Sequence, residues 1–281
     1  MQSFPKISIV IPSFNQGNYL EETIFSVIAQ QYPNLQLIVI DGGSTDNSVS
    51  VIKQYEKQIH YWVSEKDNGQ SHAINKGLEM ANGDLLSFLN SDDLLMPNVL
   101  HEIASTYKED EKQIITGNWL EGDTKESAKL REVIQPSTVE NLILNIGLFG
   151  QAGTFWSRNQ NPILLNEKYH FCLDLDFFYR LLSSDYKVTL ISQPVAFFRQ
   201  HALAKTANLH QTKYDEIIRF LENCLNQHPH IASKIKTLIA RNKRTAYRLE
   251  LLKTLKTQPK DLIPTLWKAF IYDPRVFIRG I

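Results

Sequence analysis

Over its first hundred residues the chain alternates between short apolar runs and segments whose apolar positions recur every three or four residues. Ile7 to Ile11, Leu35 to Ile40 and Leu85 to Leu89 are near-continuous apolar runs, and Tyr61 to Val63 is a shorter one. Between them, Leu20, Ile24, Val27 and Ile28 set a helical period within 19–31. Val49, Ile52 and Tyr55 set a second, and a third spans 71–80 and ends at Asn82-Gly83. Continuous apolar strands separated by helices predict a parallel sheet covered on both faces, an α/β architecture.

From about Thr106 to Gln200 the pattern is mixed. Ile114 to Trp119 and Gln151 to Trp156 read as strands, 121–132 as a polar excursion, and Leu173 to Leu182 as an aromatic-rich helix. Val188 to Ile191 and Val195 to Phe198 read as short strands. After His201 the period is helical, with candidates at Tyr214 to Cys224, Ile231 to Leu255 and Asp261 to Phe270. No stretch reaches the roughly 18 apolar residues that span a bilayer. The opening MQSFPKISIVIPSF reads as a first strand, because it lacks a charged leader followed by a long apolar segment.

Composition narrows the function classes. A length of 281 residues with 43% hydrophobic content supports a sizeable core. Thirty basic residues balance thirty acidic ones, so overall charge calls for no nucleic-acid partner. The two cysteines, Cys172 and Cys224, form no CxxC or His/Cys cluster, which argues against structural zinc and for a reducing, cytoplasmic setting.

Ligands of parallel sheets gather at the carboxyl ends of the strands. There the sequence places Ser13 to Asn15, Asp41 to Ser44, Glu65 to Gln70 and Asn90 to Asp93, and these four segments are expected to converge. The last stands in LSFLNSDDLLMP, residues 86–97, where acidic side chains meet the lip of a buried strand. They are costly there unless they meet water, a cation or hydrogen-bond donors. A divalent metal turns the repulsion between neighbouring carboxylates to use; the other reading is a helix N-cap, since Asp and Ser are favoured there and Pro97 suits the opening of a helix. On the residues alone both readings stand. The loop 41–46, DGGSTD, likewise reads either as a ligand loop or as a plain strand-to-helix turn.

The run SIVIPSFNQGNYLEETIFSVIAQQYPNLQLIVIDGGSTDNSVSVI, followed by EKDNGQSHAINKGLEMANGDLLSFLNSDD, resembles the nucleotide-sugar-binding half of family 2 glycosyltransferases of the GT-A fold. The similarity is strongest over residues 6–105 and continues to about 205. It implies a mostly parallel, Rossmann-like sheet flanked by helices. Residues 1–205 would form the catalytic domain, with 1–105 binding the donor and 106–205 the acceptor, and 206–281 a C-terminal helical region. It further implies inverting transfer of a sugar from a nucleoside diphosphate, UDP being the first expectation, to a hydroxyl of a glycan or lipid-linked glycan, in bacterial surface polysaccharide synthesis.

The resemblance also carries residue roles. Asp41 would bind the base, Pro12, Ser13 and Asn15 would line the base and ribose pocket, and Asp67 and Gln70 would stand near the nucleotide. Asn90-Ser91-Asp92 occupies the acidic motif, so Ser91 and Asp92 would meet the donor and Asp92 would hold Mn2+ or Mg2+ with Asp93 as an alternative ligand. Asn90 stands where the family often has an aspartate. Asp174 falls on the catalytic base, with Leu173 where a glutamate is frequent. Asp176, Gln151 and Trp156 would face the acceptor, and His201 would lie over the diphosphate and complete the metal shell. Trp156 also reads as a core indole, Asp174 as a helix cap and Lys76 as a solvated helix charge.

Two alternatives remain at this point, a nucleotidyltransferase and a non-catalytic carbohydrate- or partner-binding module. The first is expected to carry a basic phosphate loop after the first strand, and Pro12-Ser-Phe-Asn-Gln-Gly17 has no Lys or Arg. Lys234, Lys236, Arg241, Lys243, Arg244 and Arg248 make the C-terminal helix basic and amphipathic. It reads as a solvated packing face or as a peripheral contact with the inner face of the cell membrane.

Overall fold

The computed structural model describes residues 4–135, 137–148, 150–202, 204–205 and 210–257, so the helix expected at 261–270 lies outside the described residues. The chain opens with β1 (Ile7–Ser13), α1 (Leu20–Ile28), β2 (Leu35–Asp41), α2 (Ser48–Gln54), β3 (Tyr61–Ser64), α3 (Gln70–Met80) and β4 (Leu85–Phe88). There follow β5 (Leu94–Leu95), α4 (Val99–Thr106), β6 (Gln113–Thr116), β7 (Trp119–Gly122), β8 (Lys129–Arg131), α5 (Val139–Leu144) and β9 (Phe155–Ser157). The remainder is α6 (Leu173–Ser183), β10 (Lys187–Leu190), β11 (Ala196–Arg199), α7 (His210–Gln227), a 3-10 turn at Pro229–Ile231 and α8 (Ala232–Thr257).

Seven strands form the main sheet in the order β10-β6-β9-β4-β1-β2-β3. All its pairings are parallel except those of β9, which lies antiparallel between β4 and β6. The expected parallel α/β sheet is therefore the observed one, with a single reversed strand. β1 is buried at all seven positions because it has a strand on each side and helices on each face. Ile7, Ile9 and Ile11 join α1 residues Leu20, Ile24 and Val27 and α4 residues Val99, Leu100 and Ile103 in one core. Each such side chain, fully buried, contributes about 1.5–3 kcal/mol. Pro12 is tolerated in this central strand because the pairing of β1 with β4 ends at Val10, before the missing N–H would matter.

The expected strand at 114–119 is divided. β6 belongs to the main sheet, whereas β7 starts a second sheet of order β5-β11-β7-β8. The expected polar excursion at 121–132 is in part the β7–β8 hairpin, where Glu121 faces Lys129 and pairs with Arg131. Its outer strand is exposed, which is why no apolar alternation marked it.

The chain divides into two compact units. One comprises Met1–Leu142, Gly147–Lys168 and Leu173–His201 and contains both sheets; the other comprises Ile143–Ile146, Tyr169–Cys172 and the chain from Ala202 onward. In the second unit α7 and α8 pack on each other, with Ile217, Phe220, Leu221, Ile235 and Ile239 buried. Lys234, Lys236, Arg241, Arg244 and Arg248 are exposed, and Lys243 pairs with Glu222. Among the described residues no helix is long and apolar enough to cross a membrane.

The packing of α3 on β1 depends on Gly77, where an added Cβ would stand 2.3 Å from Val10 Cγ1. Alanine in place of a helical glycine gains about 1 kcal/mol of helix propensity. Overpacking a close-packed interior costs about 1–3 kcal/mol. Val10 is buried and branched at Cβ, so it cannot swing aside, and the packing cost prevails. Gly77→Ala is expected to lower the thermal unfolding midpoint rather than raise it.

Candidate active site

The carboxyl ends of β1, β2 and β3 lie in register, with Ser13 opposite Asp41 and Asp41 opposite Ser64. Asp41 is fully buried and accepts hydrogen bonds from Gly43 N–H (3.2 Å), Ser44 N–H (2.9 Å), the Ser44 hydroxyl and the Ser64 hydroxyl (2.6 Å). These bonds satisfy a buried carboxylate without a cation and set the path of the loop after β2.

That loop is sewn to the loop after β1. Asn15, in a left-handed conformation with φ 52°, donates its N–H to Ser44 Oγ (2.7 Å) and accepts from Thr45 N–H (2.9 Å) at Oδ1. Asp46 accepts from Gly17 N–H and from the N–H and hydroxyl of Ser48. From the third loop, Asp67 lies directly over Gly42, where a Cβ would stand 2.6 Å from its Oδ2. Gly42 is needed for this close approach of chain to chain.

The acidic turn follows β4. Asn90 donates through Nδ2 to Asp93 Oδ2 (3.1 Å) and Gln151 Oε1 (3.0 Å), and its Oδ1 accepts from Gln70 Nε2 (2.8 Å). A carboxylate could not donate to Asp93 or Gln151, so the amide at this position has a structural reason. Asp93 is buried, and its Oδ1 accepts from Arg199 N–H (3.1 Å). Burial first, and then the charge of Asp92, push its pKa well above the ordinary carboxylate range.

Asp92 is turned the other way. Its Oδ2 lies 3.1 Å from His201 Nε2, whose ring is 4.3 Å from that of Tyr19 between centroids. The His201 side chain is 10% exposed, and its Nδ1 is buried with no hydrogen-bond partner among the described residues. The two meet because β5 and β11 pair antiparallel, Leu94 opposite Phe197, so that the residues before β5 run beside those ending β11.

This arrangement of loops at one sheet edge can be set against known proteins. The family model described as glycosyl transferase family 2 matches residues 8–186. The chain belongs to glycosyl transferase family 2. The glycosyltransferase GlyG of Streptococcus pneumoniae is 28% identical over 163 residues, 57% of this chain and 54% of that protein. TuaG of Bacillus subtilis, assigned provisionally to teichuronic acid biosynthesis, is 40% identical over 92 residues, 32% of this chain and 36% of that one. These matches thus span about half, or less, of the curated relatives' own length. Among solved structures, Staphylococcus aureus TarS with UDP-GlcNAc superposes with a TM-score of 0.66 at 15% identity, covering 96% of this chain and 82% of that one. The mannosyltransferase PcManGT of Pyrobaculum calidifontis, with GDP-Man and Mn2+, gives 0.62 at 14% identity, covering 99% and 84%. The fold is the expected GT-A arrangement with a helical C-terminal extension.

Within this family 2 frame, the expected site residues divide by exposure. Asn15 and the neighbouring Phe14, which the motif reading passed over, are exposed; Pro12 and Ser13 are buried behind them. Ser91 is also buried, its carbonyl accepting from the Thr23 hydroxyl (2.9 Å), so it supports the turn from α1. Asp93 has both carboxylate oxygens committed to protein donors, which places Asp92 rather than Asp93 as the open carboxylate. Gln151 donates to the Phe88 carbonyl and so braces the end of β4.

Trp156 is a correction. It is 4% exposed, with Phe177 4.8 Å and Phe88 6.1 Å away between ring centroids, so core side chains crowd the ring and it is not placed to stack on a sugar. The same cluster brings the start of α6 near the end of β4, since Phe177 lies one turn beyond Asp174 and Phe88 two residues before Asn90. Asp174 is half-buried in the first turn of α6, its Oδ1 2.8 Å from Leu175 N–H. Asp176 is held by Arg180 at 2.8 Å, and Lys76 pairs with Glu65.

Asp92 Oδ2 and His201 Nε2, 3.1 Å apart, form a carboxylate–imidazole donor pair that fits a divalent cation such as Mn2+ together with phosphate oxygens.

The seam between the first two loops has a pH signature. Burial would raise the pKa of Asp46, but the Ser48 hydroxyl and the N–H groups of Gly17 and Ser48 together hold it below its ordinary value. A depressed carboxyl adds stability above its unfolded pKa and loses it as pH falls through the folded one. Asp46→Asn is therefore expected to be less stable than the parent at neutral pH, with the gap closing below about pH 4. Because Asp46 is exposed, the gap is under about 1 kcal/mol. Thermal melts of both proteins across this pH range measure it.

Proposed function

We propose that this chain is an inverting, divalent-cation-dependent glycosyltransferase, taking a sugar from a nucleoside diphosphate, UDP first, to a hydroxyl of a glycan or lipid-linked glycan. The observation that carries the reading is the Asp92–His201 pair at the same sheet edge as the loops built on Asp41, Asn15 and Asp67, in a chain of family 2. The exposed ring of Phe14 and the side chain of Asn15 offer a stacking surface and a polar group to a base and ribose. Asp41 acts by shaping this loop from beneath.

Asp92 and His201 would hold the cation. A bound cation neutralises charge developing on the leaving diphosphate. Asp174 accepts the proton of the acceptor hydroxyl as that oxygen bonds to the anomeric carbon and the bond from that carbon to the diphosphate breaks. Asp176 and Gln151 line the acceptor side. A role in surface polysaccharide synthesis is supported by the provisional assignment of TuaG, and the nucleotide choice by the UDP-GlcNAc held by TarS; GDP-Man in PcManGT names the next donor to try.

The test is a panel of nucleotide sugars screened for Mn2+-dependent thermal stabilisation and turnover. Asp174→Asn is expected to lower kcat by about 10²–10⁴-fold with little change in the KM for donor. Asp92→Ala is expected to abolish the response to Mn2+. The mechanism is wrong if no donor binds, or if turnover survives Asp92→Ala with the metal chelated.

A further inference from the structure

Arg199 ties together groups that the sequence does not bring near one another. Its backbone N–H donates to Asp93 Oδ1 (3.1 Å), its Nε to the Asp92 carbonyl (3.1 Å) and its Nη2 to Glu22 Oε2 (2.8 Å). The guanidinium carbon stands 5.1 Å from the centre of the Tyr19 ring, whose other neighbour is His201. One residue of β11 thus joins the acidic turn to the start of α1. The side chain is 13% exposed, so these bonds form largely out of water, whereas Glu22 at 58% remains open to solvent.

We infer that Arg199 is a positioning residue for Asp92: its guanidinium fork, anchored on Glu22 and laid over Tyr19, sets the direction in which that carboxylate points. Arg199 adds to one restraint on each of the two peptides that flank Asp92. Thr23 holds the preceding carbonyl, and the turn is closed by the Asp93 N–H on the Asn90 carbonyl (3.1 Å). Fixing the Asp92 carbonyl fixes the plane from which its side chain departs, and Oδ2 then reaches His201 Nε2. Arginine is required because its fork can bond the carbonyl through one nitrogen and the carboxylate through another while its flat face lies on an aromatic ring. A lysine ammonium is a point charge and cannot span both partners.

Glu22 is joined to the turn through Arg199. It holds the far end of the fork, and its charge offsets that of Arg199. The last step, from carboxylate direction to metal affinity, rests on the cation reading proposed above; the positioning of the turn does not.

The experiment uses the full chain and two variants, Arg199→Lys and Glu22→Gln. The second alters an exposed side chain, so it is expected to fold. Amide hydrogen exchange over the peptide spanning residues 89–96 reads the turn directly. Both variants are expected to exchange faster there, Arg199→Lys about tenfold or more and Glu22→Gln by a smaller factor, with the core of β1 unchanged. Mn2+ binding in the presence of UDP, followed by calorimetry, is expected to weaken about tenfold in Arg199→Lys, while UDP binding in chelator is unchanged. Retained charge does not rescue a lost fork, whereas a purely electrostatic role would leave Arg199→Lys like the parent. Unaltered exchange over 89–96 in both variants overturns the inference. If the parent itself binds no Mn2+ with UDP, the cation reading fails, and the exchange data still decide the role of Arg199.

Discussion

The parallel pairing of β1 with β2 is the constraint on which the rest depends. Seven consecutive residue pairs run from Ile7 opposite Leu35 to Ser13 opposite Asp41, and nearly all of the side chains involved are buried. Because side chains alternate between faces, a shift of one residue would turn Ile7, Ile9 and Ile11 away from α1 and α4. The same shift would part Ser13 from Asp41 and move the loops they begin. Core packing and site assembly are therefore one requirement, and the hydrophobic pattern that secures the first also delivers the second.

At that edge the protein must keep carboxylates where solvent is scarce, and it does so in two ways. Asp41 is satisfied by hydroxyl and N–H donors from its own and the adjoining loop, which converts a desolvation cost into loop rigidity. The pair Asp92 and Asp93 is divided instead. Asp93 turns inward, where its raised pKa reflects burial and its neighbour's charge, and Asp92 turns outward toward His201. Asn90 makes the division possible, since an amide can donate to Asp93 where a third carboxylate would repel it.

Much of this was legible beforehand. The strands β1, β2 and β4 and the helix α3 came within two residues of their expected bounds, because a buried strand and an amphipathic helix carry their own periods. The convergence of polar segments at strand ends followed from the parallel sheet alone. Trp156 shows where periodicity stops: a three-residue strand with a large aromatic cannot declare whether its ring enters the core or the crevice. The second sheet was obscured for a related reason, since β8 is exposed on all three residues and β5 is only two long.

The sequence by itself determined the α/β class, the order of strands and helices near the N-terminus and the family, and it marked Asp41, Asp92 and Asp174 as the residues to examine. These are properties of local pattern, set within a strand, a helix or a motif. Only the tertiary structure decided that Asp93 is enclosed and Asp92 is not, that Asn90 is a hydrogen-bond hub and that Arg199 reaches a turn more than a hundred positions earlier in the chain. The physical reason is the antiparallel pairing of β5 with β11. Its register is settled by contacts between remote segments, and neither segment holds enough pattern alone to specify the other.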